Sequence, residues 1–217
     1  MLKIVILDYL PSIAALTVIQ LLGVMSPGPD FAVVMRNSLV HTRRAAIFTV
    51  LGVTCGDLLH MTYIVLGLGV IIAKTAWLLT FLKYIGAGYL IYIGILGIRT
   101  KKHSADYAEK AHQHKVLADF KAFRSGFFTN ITNFKAMLFF IGLFSGFITP
   151  EVPNMVIAIY VAIILVSTFA WFLIVAIFFS NKHLISFFKN FQHIIERVTG
   201  GFLILLGLKI LFTKGNS

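Results

Sequence analysis

One cysteine, eight acidic residues and five prolines are all that this chain of 217 residues holds of those types. The lone Cys55 excludes an intramolecular disulfide framework and dithiol chemistry, and reads as a small apolar packing residue. Charged residues make up only 12% of the chain and hydrophobic ones 59%. An ordinary soluble domain carries about 25% charged residues. There is no Gly-Lys-Ser/Thr phosphate loop, no cluster of metal ligands and no nucleophile–base pair. These absences argue against an enzyme, an ATP-driven pump, a bound cofactor and a resident metal.

What the chain does have is long apolar blocks. About 20 apolar residues cross a bilayer core of about 30 Å. Six stretches meet or approach that length: 9–36 (interrupted), 44–72, 76–98, 121–149 (interrupted), 153–180 and 194–213. The last is the weakest, because Glu196 and Arg197 leave a clean apolar core over only 198–212. The expectation is an all-α polytopic membrane protein with six transmembrane helices, the first and fourth interrupted. The N-terminal stretch has one lysine, Lys3, followed by Asp8, and ends in Pro-Gly-Pro without a small-x-small cleavage site. It reads as a retained first span rather than a signal peptide.

The formal charge of +11 is spread unevenly. Arg36, Arg43 and Arg44 lie between spans one and two, and Lys182, Lys189 and Arg197 between five and six. Arg99, Lys101, Lys102, Lys110, Lys115, Lys121 and Arg124 lie between three and four. Lys3, Lys74, Lys83, Lys209 and Lys214 fall on the opposite side. By the positive-inside rule the richer side is cytoplasmic, which puts both termini outside and accounts for the charge without a nucleic-acid partner.

The stretch 99–121 is the only long polar segment, and it divides a single transmembrane domain (1–217) into halves of about 1–98 and 122–217. Its alternating Asp106, Glu109, Lys110 and Asp119 suit a solvated cytoplasmic linker. His112 and His114, at i and i+2 with no third ligand, read as surface residues rather than a metal site. Each half opens with an interrupted span and closes with a glycine-containing one, through Gly86, Gly88, Gly94 and Gly97 or through Gly200, Gly201 and Gly207. Three spans per half means that the halves enter the membrane from opposite sides, as inverted repeats. Interrupted helices at matching positions of such repeats point to a transport site.

Three ionisable residues sit at these interruptions or deep in a span, where charge is costly and normally functional. Asp30 follows Ser26-Pro27-Gly28-Pro29. Pro29 lacks an N–H and Pro27 disfavours helix at Ser26, so carbonyls one turn earlier lose their partners. If the helix restarts there, the N–H groups of Asp30, Phe31 and Ala32 form a positive end suited to a carboxylate, or Asp30 caps the restart. The plainer reading is a kink or a turn at the membrane surface. Asp57 lies twelve residues beyond Ala45, about 18 Å along a helix, with Thr54 and His60 on its face. A carboxyl at that depth suits proton exchange, with His60 either a proton relay or a packing residue. Gly52-x-x-x-Gly56 favours close helix contact beside it. Lys135 follows Asn130-Ile131-Thr132-Asn133 and needs a partner, for which Asp30 and Asp57 are the candidates unless it snorkels. Asn130 and Asn133 can each donate and accept, as a zwitterion or exposed backbone requires.

These residues, in this order, resemble the LysE/RhtB amino-acid exporters. The match runs from Ser26-Pro27-Gly28-Pro29-Asp30-Phe31 through Arg36-Asn37-Ser38-Leu39, Arg43-Arg44-Ala45, Leu51-Gly52 and Gly56-Asp57. It continues through Phe123-Arg124-Ser125-Gly126-Phe127 into Asn130-Ile131-Thr132-Asn133-Phe134-Lys135-Ala136, and ends at Gly200-Gly201-Phe202 and Leu206-Gly207-Leu208. Phe134 stands where that family usually has proline, which implies a milder break held by Asn133. The resemblance implies a multi-pass exporter of the bacterial inner membrane carrying threonine-, homoserine- or leucine-like substrates outward, in exchange for protons. Substrate contacts would come from Pro27, Gly28, Pro29, Asp30, Phe31, Asn130, Asn133 and Lys135, with Asp57 and His60 coupling protons. The expected partners are the amino acid, protons and the lipid bilayer, and association into a homo-oligomer is left open. A related divalent-metal exporter using Asp30, Asp57, His60 and Cys55, and a non-transport scaffold, are the alternatives.

Overall fold

A computed structural model describes residues 2–74, 76–99, 116–149, 151–179 and 182–212. Most of the polar linker, with His103, His112 and His114, lies outside the described residues. Among the described residues eight helices follow in order: α1 (Leu2–Met25), α2 (Pro29–Val40), α3 (Arg43–Lys74), α4 (Ala76–Arg99), α5 (Asp119–Ile131), α6 (Phe134–Phe147), α7 (Asn154–Phe179) and α8 (Lys182–Phe212). Among the described residues, three segments are long and apolar enough to cross a bilayer: Leu7–Met25, Arg43–Gly67 and Asn154–Phe179. The α5–α6 pair, bent by 56°, makes a fourth if taken as one broken span.

The boundaries differ from expectation at two places. The interrupted stretch 9–36 becomes a helix long enough to span by itself, α1, followed by the separate three-turn α2. Pro27, Gly28 and Pro29 divide them, since no continuous ladder passes two prolines in three residues. The expected loop between spans five and six is helical from Lys182, where α8 begins.

Many outward residues are large and apolar, including Leu66, Val166, Leu205 and Phe134. Lipid provides no hydrophobic drive between helices, so association rests on close packing and small residues. That is what the glycines supply. A Cβ on Gly52 would overlap the Phe123 carbonyl, and one on Gly126 would overlap that of Thr49, so α3 and α5 touch backbone to backbone. Gly94 and Gly200 do the same for α4 and α8, and Gly86 against Gly142 brings α6 onto α4. Gly52→Val is expected to cost about 1–3 kcal/mol through overpacking, read as a lowered melting temperature in detergent.

Two contacts orient the bundle. Arg44 at the start of α3 makes a bidentate pair with Asp119 at the start of α5, closest at 2.6 Å. Both belong to the basic side anticipated from sequence. At the other end, the Tyr9 hydroxyl donates to the Glu151 carbonyl at 3.0 Å, tying α1 to the α6–α7 connection. From the basic side α2 and α5 each run about 18–20 Å before their breaks, and Asp57 lies about 21 Å along α3 from Arg43. The two breaks and the carboxylate therefore meet at one depth.

Candidate functional site

Each break is built by its own local chemistry. Gly28 is the extended N-cap of α2 and Pro29 its first helical residue, where a missing N–H costs nothing. Asp30 follows but makes no capping bond; its carboxylate turns away towards α5 and α6. The Ala32 N–H is already bonded to the Gly28 carbonyl at 2.9 Å, so the restarted helix offers fewer open donors than expected. At the second break Asn133 is the N-cap of α6, its Oδ1 accepting from the N–H groups of Lys135 at 3.0 Å and Ala136 at 3.4 Å. Phe134 takes the first helical position and is 72% exposed. A proline there would be equally at home, and Asn133 maintains a full 56° bend without it.

The carboxylates meet over one amide. Asn130 Nδ2 donates to Asp57 Oδ1 at 2.8 Å and to Asp30 Oδ2 at 3.1 Å, while Asn133 Nδ2 donates to Asp30 Oδ2 at 2.8 Å. All four residues are buried. Asp30 Oδ1 and Asn130 Oδ1 have no hydrogen-bond partner among the described residues. Gly56 permits this arrangement, since a Cβ there would occupy the place of the Asn130 side chain.

Lys135 does not pair with either aspartate within salt-bridge distance. Its ammonium donates to the Ser26 carbonyl at 2.9 Å, the Ser26 hydroxyl at 2.7 Å and the Pro27 carbonyl at 2.7 Å. These are the groups that the proline-induced break exposes, and a buried carbonyl without a donor is costly. Gly28 makes room for the reach: a Cβ there would come within 3.2 Å of Lys135 Cδ. His60 adds to the other break. Its Nε2 donates at 3.0 Å to the Asn130 carbonyl, which also accepts from the Asn133 N–H at 2.8 Å, and its Nδ1 faces the Tyr63 hydroxyl. Thr54 stays out of the site, bonding back to the Val50 carbonyl.

Between the breaks lies a cavity with about 510 Å³ of empty space, counting the part that opens outward. Of the residues singled out from the sequence, Asp30, Asp57, Asn133, Lys135, Gly28 and Phe31 line it. Pro27, Pro29, Asn130 and His60 do not. Gln20, Ser26 and Thr168 line it unforeseen, as do Phe139, Phe140 and Phe172. The available signal was weak, neutral polar residues scattered through apolar runs. Cys55 is exposed on α3, apart from the carboxylates. Among the described residues no group of three His, Cys, Asp or Glu could hold a metal ion.

A largely apolar cavity that holds buried carboxylates and an ammonium between two helix breaks is the arrangement expected of solute transporters. The chain is a member of the LysE type translocator family, whose model matches residues 21–214. It is 30% identical over 196 residues to the threonine efflux protein of Escherichia coli K12, covering 90% of this chain and 95% of that one. It is 28% identical to an uncharacterized membrane protein of Bacillus subtilis, covering 94% and 97%. Over 131 residues it is 29% identical to the homoserine/homoserine lactone efflux protein of Salmonella typhimurium, covering 60% and 62%. No solved structure matches the chain at a significant level. Family membership makes this a membrane transport protein rather than an enzyme.

Proposed function

We propose that this protein exports a small neutral amino acid or a close derivative across the bacterial inner membrane, in exchange for protons. The observation that carries this is the cavity itself, whose lining includes the Lys135 ammonium and the Asp30 and Asp57 carboxylates. A zwitterion needs an anionic and a cationic contact a few ångströms apart. Asp30 Oδ1, which has no partner among the described residues, suits the substrate ammonium. Lys135 and the Ser26 hydroxyl suit its carboxylate.

When the substrate carboxylate draws Lys135 away, the carbonyls of Ser26 and Pro27 lose their donor, so binding loosens the α1–α2 break. Asp57 carries the exchanged proton, because it shares Asn130 with Asp30 and registers whether Asp30 is neutralised by a substrate ammonium. The names of the efflux relatives point to threonine and homoserine as the first substrates to try.

In this reading the chain crosses the membrane six times as two inverted three-span repeats, with both termini periplasmic. Support comes from the packing: α4 lies on α8, while α3 meets α5 as α1 meets α7, and α2 meets α7 as α6 meets α3. A two-fold relation between halves produces such pairs.

The test is a panel of labelled amino acids in inverted vesicles under an imposed pH gradient. Accumulation of one neutral amino acid, driven by the gradient, is the expected result. Asp57→Asn is expected to abolish gradient-driven accumulation while leaving counterflow exchange of substrate measurable. Undiminished gradient-driven transport by that variant would remove Asp57 from the coupling.

A further inference from the structure

On the α1–α7 side of the cavity, Gln20 Nε2 donates to Thr168 Oγ1 at 3.2 Å. Both side chains are buried and both line the cavity, yet neither has a part in holding the breaks. Asp57 lines the same cavity. The NH₂ of the Gln20 amide is engaged with Thr168, which leaves its carbonyl oxygen over. Gln20 Oε1 is indeed buried with no hydrogen-bond partner among the described residues. Its cavity neighbours include Val24, Phe139, Phe172 and Leu203, which offer no donor from their side chains.

An unpaired acceptor buried in an apolar wall calls for a donor from whatever fills the cavity. We propose that Gln20 reads a hydroxyl on the substrate side chain, so that the cavity selects hydroxy amino acids over aliphatic ones of the same shape. This rests on the amino-acid export reading and adds the residue that tells a hydroxy substrate from its aliphatic analogue. An apolar pocket alone separates a hydroxyl from a methyl only weakly, whereas a site that must hydrogen-bond the hydroxyl rejects the analogue lacking it.

The test compares isosteric pairs in inverted vesicles: threonine with valine, and homoserine with norvaline. The wild-type protein is expected to favour the hydroxy member of at least one pair by about tenfold or more in kcat/KM. In Gln20→Met and Thr168→Val that preference is expected to collapse towards one, with the methyl analogue gaining relative to its partner. Equal handling of both members of each pair by the wild type overturns the proposal, whatever the variants do. So does a preference that survives in both variants. Transport of no amino acid by wild-type vesicles overturns the export reading, and this assignment with it, whereas transport without discrimination sinks the Gln20 assignment alone.

Discussion

Asn130→Ala is expected to cost about 3–6 kcal/mol of stability and to leave efflux undetectable. The side chain removed makes two buried hydrogen bonds to carboxylates, one to Asp30 and one to Asp57. Bonds to charged groups contribute about 1.5–3 kcal/mol each, and leaving the charged partner buried is costlier than losing a neutral pair. The backbone carbonyl of residue 130 keeps its bond from His60, so the end of α5 stays closed and the loss isolates the amide. Asn130→Asp is the sharper variant, since it sets a third carboxyl where the donor stood. Melting temperature in detergent and labelled amino-acid efflux together check this; a variant that kept both would mean that the two aspartates are held by other groups.

Lys135→Met is expected to reduce efflux by about 100-fold or more while destabilising the protein less than the asparagine variant. Methionine retains most of the aliphatic stem that lies against Gly28. What disappears is the ammonium and its three bonds to Ser26 and Pro27. The freed carbonyls then depend on water entering from the cavity, which offsets part of the loss. Function suffers more, because the substrate carboxylate loses its counter-charge and the break loses its clamp. A displacement of about 1 Å in a positioning group is enough for a hundredfold effect. Lys135→Arg keeps the charge, but its planar fork has to fit beside Gly28, so partial activity is expected. Initial rates in inverted vesicles, normalised to protein in the membrane, decide between these outcomes.

Much of this site was legible from sequence because charges are rare here. Asp30, Asp57 and Lys135 stood out against apolar runs, and their nearness to Pro-Gly-Pro and to two asparagines marked the breaks. Depth along a helix follows from counting residues, and it puts Asp57 deep within its span. Direction around the helix does not follow so simply. That is why the sequence offers Asp30 and Asp57 as candidate partners of Lys135, which instead serves backbone carbonyls. It is also why Asp30 was offered as a cap, although Gly28 fills that position and Asp30 reaches across to Asn130 and Asn133. Gln20 and Thr168 stayed hidden for another reason. One neutral polar residue in a membrane helix ordinarily bonds its own backbone or a neighbour, so only the shared cavity gives the pair a role. The proline missing at position 134 proved uninformative about the bend, because an N-cap asparagine and a first-turn proline achieve the same start.

The two breaks are stitched across the halves of the chain. Lys135 secures the carbonyls of Ser26 and Pro27 from 109 and 108 residues further on. His60 secures the carbonyl of Asn130, 70 residues after it. During synthesis the first half therefore enters the bilayer with its break open, and its exposed carbonyls wait until the fourth apolar stretch has left the ribosome. Biogenesis then has a vulnerable interval that closes only when residues 130–135 arrive. A truncated chain ending before them would be prey for membrane quality control, however well its remaining helices insert.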